Sequence, residues 1–183
     1  MWIELSLKLT TLLVFFLRNL NIYNPKVKAH AYKSLVWPLL EYSCSVWDTH
    51  TDHLTKKLEM VQRRAARFTL NKYRRTDSVT AMLETLSWPT LSQRRLQARL
   101  SMMFKIHHNL VAIDASHILS SKQHNTPTRT ENTLAYHIPQ SRTEYHRNSF
   151  YPRTIRDWNL LPESIVTSLT PAAFKAALRS HYD

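Results

Sequence analysis

Apolar residues return along this chain at the spacing of helices far more often than at the alternation of strands. The clearest case is Leu54, Leu58, Val61, Ala65 and Phe68, which advance by four, three, four and three positions. At 100° per residue these five stay within about 80° of one another, a single stripe on a helix. Lys56, Arg63 and Arg67 fall near the opposite pole, while Lys57 and Arg64 flank the stripe. Thr51 or Asp52 stands where a cap is wanted. One face of this helix is expected to dock and the other to form a positive rail.

The same reading extends to both sides. The run "LTTLLVFFL" over 9–17 is too short to span a bilayer, which takes about 20 residues, and predicts a buried helix over roughly 4–20. No basic stretch precedes it, so a secretory signal is not expected. Asn24-Pro25 predicts a helix start, and the helix should reach about Trp47 with a kink or break at Pro38. Tyr32, Leu35, Val36, Leu39, Leu40 and Tyr42 read as core in that stretch.

Val79, Met82, Leu83 and Leu86 predict a short helix capped by Asp77 or Ser78 and broken at Ser87-Trp88-Pro89. Thr90 to Gln93 forms a capping box that opens a long helix to about Asn109. That helix is apolar around most of its circumference, with the line Arg94, Ser101, Lys105, His108 facing solvent, and it is expected to be central. From about Ser116 to Asn148 the periodicity disappears into a long polar loop in which "LAYHI" is the one candidate strand. Thr170-Pro171 starts a last helix, Ala172 to about Arg179, with Phe174 and Leu178 on one face.

The expected fold is mostly α: five or six helices, one long polar loop and at most one short strand. By this division residues 1–115 form a helical part, 116–148 the loop, and 149–183 a segment that packs back on the same core.

Composition removes several chemistries. Among 183 residues there is no glycine. A P-loop, a dinucleotide-binding turn and a GxSxG elbow all need glycine for positive φ or close backbone approach. The single cysteine, Cys44, excludes a disulfide framework and a Cys-based zinc ribbon, and fits a reducing intracellular setting, nuclear or cytoplasmic. The formal net charge is +12, and twelve Lys and Arg face only three carboxylates between Leu54 and Lys105. Nucleic acid is the default partner for such a field, with an anionic membrane surface as competitor.

Four segments resemble one family: "AYKSLVWPLLEYSCSVWD" (31–48), "KKLEMVQRRAARF" (56–68), "MLETLSWPTLSQRRLQARL" (82–100) and "NSFYPRTIRDWNLLP" (148–162). They look like the region beyond the palm in the reverse transcriptases of LINE-type, jockey-like non-LTR retrotransposons. A weaker likeness covers "KLTTLLVFFLRNL" (8–20). The resemblance implies a thumb-like, nucleic-acid-holding part of an RNA-directed DNA polymerase. The family's metal-binding aspartates include an Asp-Asp pair, and this sequence has none, so no catalytic residue carries over and no enzyme activity is expected. The chain also departs from the family at Val14 and around Arg129-Thr130-Glu131, where glycine is usual, and at Trp37, where arginine is common. Such losses suggest a decaying copy or a solitary remnant.

The expected partner is RNA or an RNA–DNA duplex, held without regard to sequence, with no cofactor, metal or small-molecule substrate and no membrane insertion. The residues expected to meet phosphates are Lys56, Lys57, Arg63, Arg64, Arg67, Arg94, Lys105, Arg153 and Arg156. The bland alternative is a solvated charged face and a relic without nucleic-acid function; Arg153 and Arg156 serve equally well as ion-pair partners for Asp157 and Glu163. His50-x-x-His53 has helical ligand spacing but no third ligand, and reads as capping and solvation. Adjacent His107 and His108 read as structural or solvent-facing, and Cys44 as a small core residue. Tyr151 beside Arg153 and Arg156 has the look of a tyrosine nucleophile without its partners; Phe150, Tyr151, Ile155, Trp158, Leu160 and Leu161 read better as a packing insert.

Overall fold

A computed structural model describes residues 24–122 and 132–182. The expected helix over 4–20 and the positions Val14 and 129–131 lie outside these. The described chain is mostly helical, in ten segments: α1 (Pro25–Leu35), α2 (Trp37–Glu41), α3 (Cys44–Trp47), α4 (Asp52–Leu70), α5 (Val79–Thr85), α6 (Leu91–His107), α7 (Glu144–Arg147), α8 (Phe150–Asn159), α9 (Glu163–Val166) and α10 (Pro171–Tyr182). The count exceeds the expected five or six because Pro38 divides the first stretch and because α7 and α9 are single turns. The chain forms two compact units that divide between Arg95 and Leu96, inside α6, rather than near residue 115.

In the first unit, Asn24 caps α1 by accepting a 2.9 Å bond from the Lys26 amide. Tyr32, Val36 and Leu40 follow at steps of four and are buried, whereas Leu35, Leu39 and Tyr42 are exposed, so the stretch has one core face and not two. Leu58, Val61 and Ala65 of α4 join them, with Met82, Trp88 and Leu91 completing the core. Tyr32 stacks on Trp88 at 4.6 Å between ring centroids.

Polar side chains of α4 set the corner before α6. Gln62 Nε2 donates to the Pro89 carbonyl at 2.9 Å. Glu59 accepts from the amides of Leu91 (3.3 Å) and Ser92 (2.7 Å), while Thr90 Oγ1 accepts from the Gln93 amide at 3.1 Å. Three of the otherwise orphaned donors at the start of α6 are thereby satisfied. Without glycine, the left-handed backbone positions that close helices fall to Ser43, Asn71, Ser87 and Asn109, with φ of 51°, 54°, 51° and 52°.

In the second unit, Leu100, Met103 and Phe104 of α6 pack with Ile155, Trp158, Leu161, Ile165, Val166, Phe174 and Leu178. Phe104 and Phe174 stack at 4.4 Å. The "FYPRTIRDWN" stretch is therefore a helix, α8, and Trp158 is its anchor: the ring is fully buried and its Nε1 donates to the Leu134 carbonyl at 3.0 Å. Leu160, expected to pack, is exposed at the end of that helix.

No strand forms at "LAYHI". Tyr136 makes a single antiparallel bridge with Ser121. Its other side is met by a side chain, since Asn159 Oδ1 accepts from the Tyr136 amide (3.0 Å) and Asn159 Nδ2 donates to its carbonyl (2.8 Å). One carboxamide thus takes the place of a neighbouring strand, and no ladder propagates. Asn132 pins the same region, its Nδ2 donating to the carbonyls of Trp158 (2.8 Å) and Leu161 (3.1 Å).

Candidate nucleic-acid interface

The rail on α4 is present as its periodicity predicts. Lys56, Lys57, Arg63 and Arg64 are exposed on the helix whose other face carries buried Leu58, Val61 and Ala65. Arg67 is half-buried in the last turn. Glu59 is the carboxylate nearest to Arg63 by helix spacing, yet its oxygens are turned to the start of α6. Lys56, Lys57, Arg63 and Arg64 form no ion pair among the described residues. Beyond the Asn71 turn, Lys72, Arg74 and Arg75 are also exposed and extend the positive surface of this unit.

The arginines of α6 behave differently. Arg94 was expected to face solvent; instead its Nε bonds to Glu41, its guanidinium lies 3.9 Å from the Trp37 ring centroid, and only a quarter of its side chain is exposed. A planar guanidinium flat on an indole combines cation–π attraction with packing, so Arg94 is a structural residue of the first unit. Arg95, one position on, is buried and bonds to Asp48 at 2.8 Å. Arg99, in the second unit, is buried and bonds to Asp157 at 2.9 Å. The basic run "QRRLQAR" thereby contributes little free charge. Nothing local in the sequence marks this, because Glu41, Asp48 and Asp157 are all remote from it along the chain.

The remaining three candidates belong to the second unit and are half-buried. Lys105 lies in the last turn of α6, where a cation complements the helix dipole. Arg156 is engaged by carbonyls: Nε donates to Pro152 at 3.2 Å and Nη2 to Arg147 at 2.8 Å, which satisfies the end of α7. Glu163, proposed above as an ion-pair partner, accepts instead from the amide (2.8 Å) and the hydroxyl of Thr133. These bonds hold its carboxyl below the usual range. The structure thus gathers Lys56, Lys57, Arg63 and Arg64 on one face and removes Arg94 and Arg156 to scaffold duties.

Ionisation is disfavoured at Cys44 and Tyr151. Cys44 is buried, and burial followed by the nearby charges of Glu41 and Asp48 pushes its thiol up, away from the reactive thiolate. Burial likewise raises the Tyr151 phenol, the wrong direction for a nucleophile. His50 and His53 are exposed, and among the described residues no three His, Cys, Asp or Glu are gathered to hold a metal ion. His107 is structural: its Nδ1 meets the Tyr136 hydroxyl and its ring packs 5.7 Å from Trp158. His108 is exposed. Among the described residues no helix is long and apolar enough to cross a membrane.

No protein-family profile, curated protein or solved structure matches the chain.

Proposed function

We propose that this protein is a non-catalytic remnant of a retrotransposon reverse transcriptase that holds the backbone of RNA or an RNA–DNA duplex. The observation that carries the binding reading is the face of α4. Four exposed cations, Lys56, Lys57, Arg63 and Arg64, stand on a helix fixed by its buried side, and Glu59, four residues before Arg63, is turned to the start of α6. Cations fixed in this way neutralise phosphates without reading bases, which gives sequence-independent affinity. The origin rests on the four resembling segments, and the lack of an Asp-Asp pair supports the non-catalytic part.

Fluorescence anisotropy with a labelled RNA–DNA duplex tests the reading. Affinity should fall steeply between 50 and 200 mM salt, by about 10³-fold if six or more phosphates are met. Reversing Lys56 and Arg63 to Glu should weaken binding and flatten the salt slope by about two contacts. Binding indifferent to salt, or to both reversals, would leave the relic without nucleic-acid function as the better account.

A further inference from the structure

A cavity of about 340 Å³ opens in the second unit where three stretches of chain meet. Three histidines line it, one from each of three stretches: His117, His137 and His146. Ser120, Ser149 and Tyr151 add hydroxyls, and Ile118, Ile138, Pro139 and Pro152 supply apolar wall. Its volume is at the small end of the roughly 300–1,000 Å³ of ligand sites, suited to one ring-bearing molecule and too small for a peptide.

The walls are fixed before any ligand arrives. The His137 amide donates to the Ser120 carbonyl at 2.9 Å, joining two of the stretches. Ser149 Oγ donates to the His146 carbonyl at 2.7 Å and closes the corner between α7 and α8. The imidazole rings of His137 and His146 are exposed and engage in no hydrogen bond among the described residues, so both remain available.

The lining has no carboxylate to repel an anion. A metal is disfavoured, since the histidines are not gathered to ligand distance. Hydroxyl and imidazole donors around an apolar wall suit a phosphorylated compound whose planar ring rests against aliphatic and phenolic surface. Burial keeps the Tyr151 phenol protonated and thus a donor.

We propose that this cavity binds a nucleoside monophosphate, either free or as the terminal residue of a strand, with the phosphate taken by the histidines. The site is confined to the second unit and does not rest on the α4 rail. Charged groups close to these histidines along the chain include Asp114, which accepts from Ser116 and interacts with His117, Glu144, which accepts from Asn148, and the cations Arg147 and Arg153 of α7 and α8. Hydrogen bonds to an ionised phosphate are markedly stronger than neutral ones, so the phosphate should supply most of the affinity.

Titration calorimetry on the full chain tests this with adenosine monophosphate, uridine monophosphate, adenosine and inorganic phosphate. Both nucleotides should bind, and adenosine at least about tenfold more weakly. His137→Ala and His146→Ala are surface changes that should leave the melting profile intact, and each should weaken nucleotide binding. A 5′-phosphorylated oligonucleotide that outbinds its 5′-hydroxyl twin identifies a strand end as ligand; equal binding of the twins alongside a tight free nucleotide identifies the nucleotide itself. The proposal falls if neither nucleotide binds, if adenosine binds as well as its monophosphate, or if both alanine variants bind like the parent chain.

Discussion

Asp48 Oδ1 accepts a 2.8 Å bond from Arg95 Nε, and the two side chains are only 6 % and 2 % exposed. Removing one partner of such a pair leaves a buried charge uncompensated. Asp48→Ala should therefore cost the first unit about 3–5 kcal/mol, whereas Asp48→Leu combined with Arg95→Met should cost less than either change alone. Urea unfolding followed by amide exchange within residues 24–95 separates the two outcomes.

A second prediction concerns the carboxamide of Asn159, which meets both backbone groups of Tyr136. Asn159→Ala strands two buried groups and should cost about 2–6 kcal/mol, taking about 1–3 for each. Asn159→Asp should be worse at neutral pH, because a carboxylate oxygen then faces the Tyr136 carbonyl. That penalty should shrink in acid, below the ordinary carboxylate range near pH 4, where the protonated acid donates. Stability curves at pH 7 and pH 4 for the two variants check the crossing.

These two sites also show what the sequence holds and withholds. The α4 stripe was legible because its information is local: a period of 3.6 and a contrast between Leu58 or Val61 and Lys56 or Arg63. The caps at Asn24, Ser78, Thr90 and Thr170 were legible for the same reason, each resting on a short local spacing. The fates of Arg94, Arg95 and Arg99 were not legible, since periodicity places a residue on a face but does not name the distant acid that faces it. Leu35 and Leu39 misled in the same way, as a near-continuous apolar run does not reveal which face meets the core. "LAYHI" alternates like a strand, and only Asn159, far along the chain, explains why it forms one bridge.

Backbone conformation gives a third prediction. Ser87 sits at φ 51°, and its amide donates to the Glu84 carbonyl at 2.9 Å. The left-handed region costs a residue with a β-carbon about 1–2 kcal/mol, and glycine escapes that cost. Ser87→Gly should raise stability by about 1 kcal/mol, after glycine's larger unfolded-state entropy takes part of the gain. Asn71→Gly should gain less, because asparagine tolerates this region. Shifts in the urea midpoint decide both.

The last prediction is a pH dependence of the second unit. Burial, and then the neighbouring His108, lowers the His107 pKa. As pH falls through the ordinary histidine range, the unfolded chain takes up a proton that the folded His107 resists. Stability is therefore greatest above that range and declines below it. Amide exchange within 96–182 should accelerate between pH 7.5 and 5.5 beyond its intrinsic change, and less so in His107→Gln. His107 imidazole resonances followed by NMR should show the lowered midpoint directly.

The pairing of Asn159 with Tyr136 reaches beyond folding stability. An extended apolar segment with an open backbone edge is a template on which a second chain can add as a strand. At Tyr136 that edge is occupied by a side chain that can neither extend a ladder nor be copied by an incoming segment. Asn159→Ala should therefore aggregate at lower concentration than the parent chain, which light scattering on concentration would read.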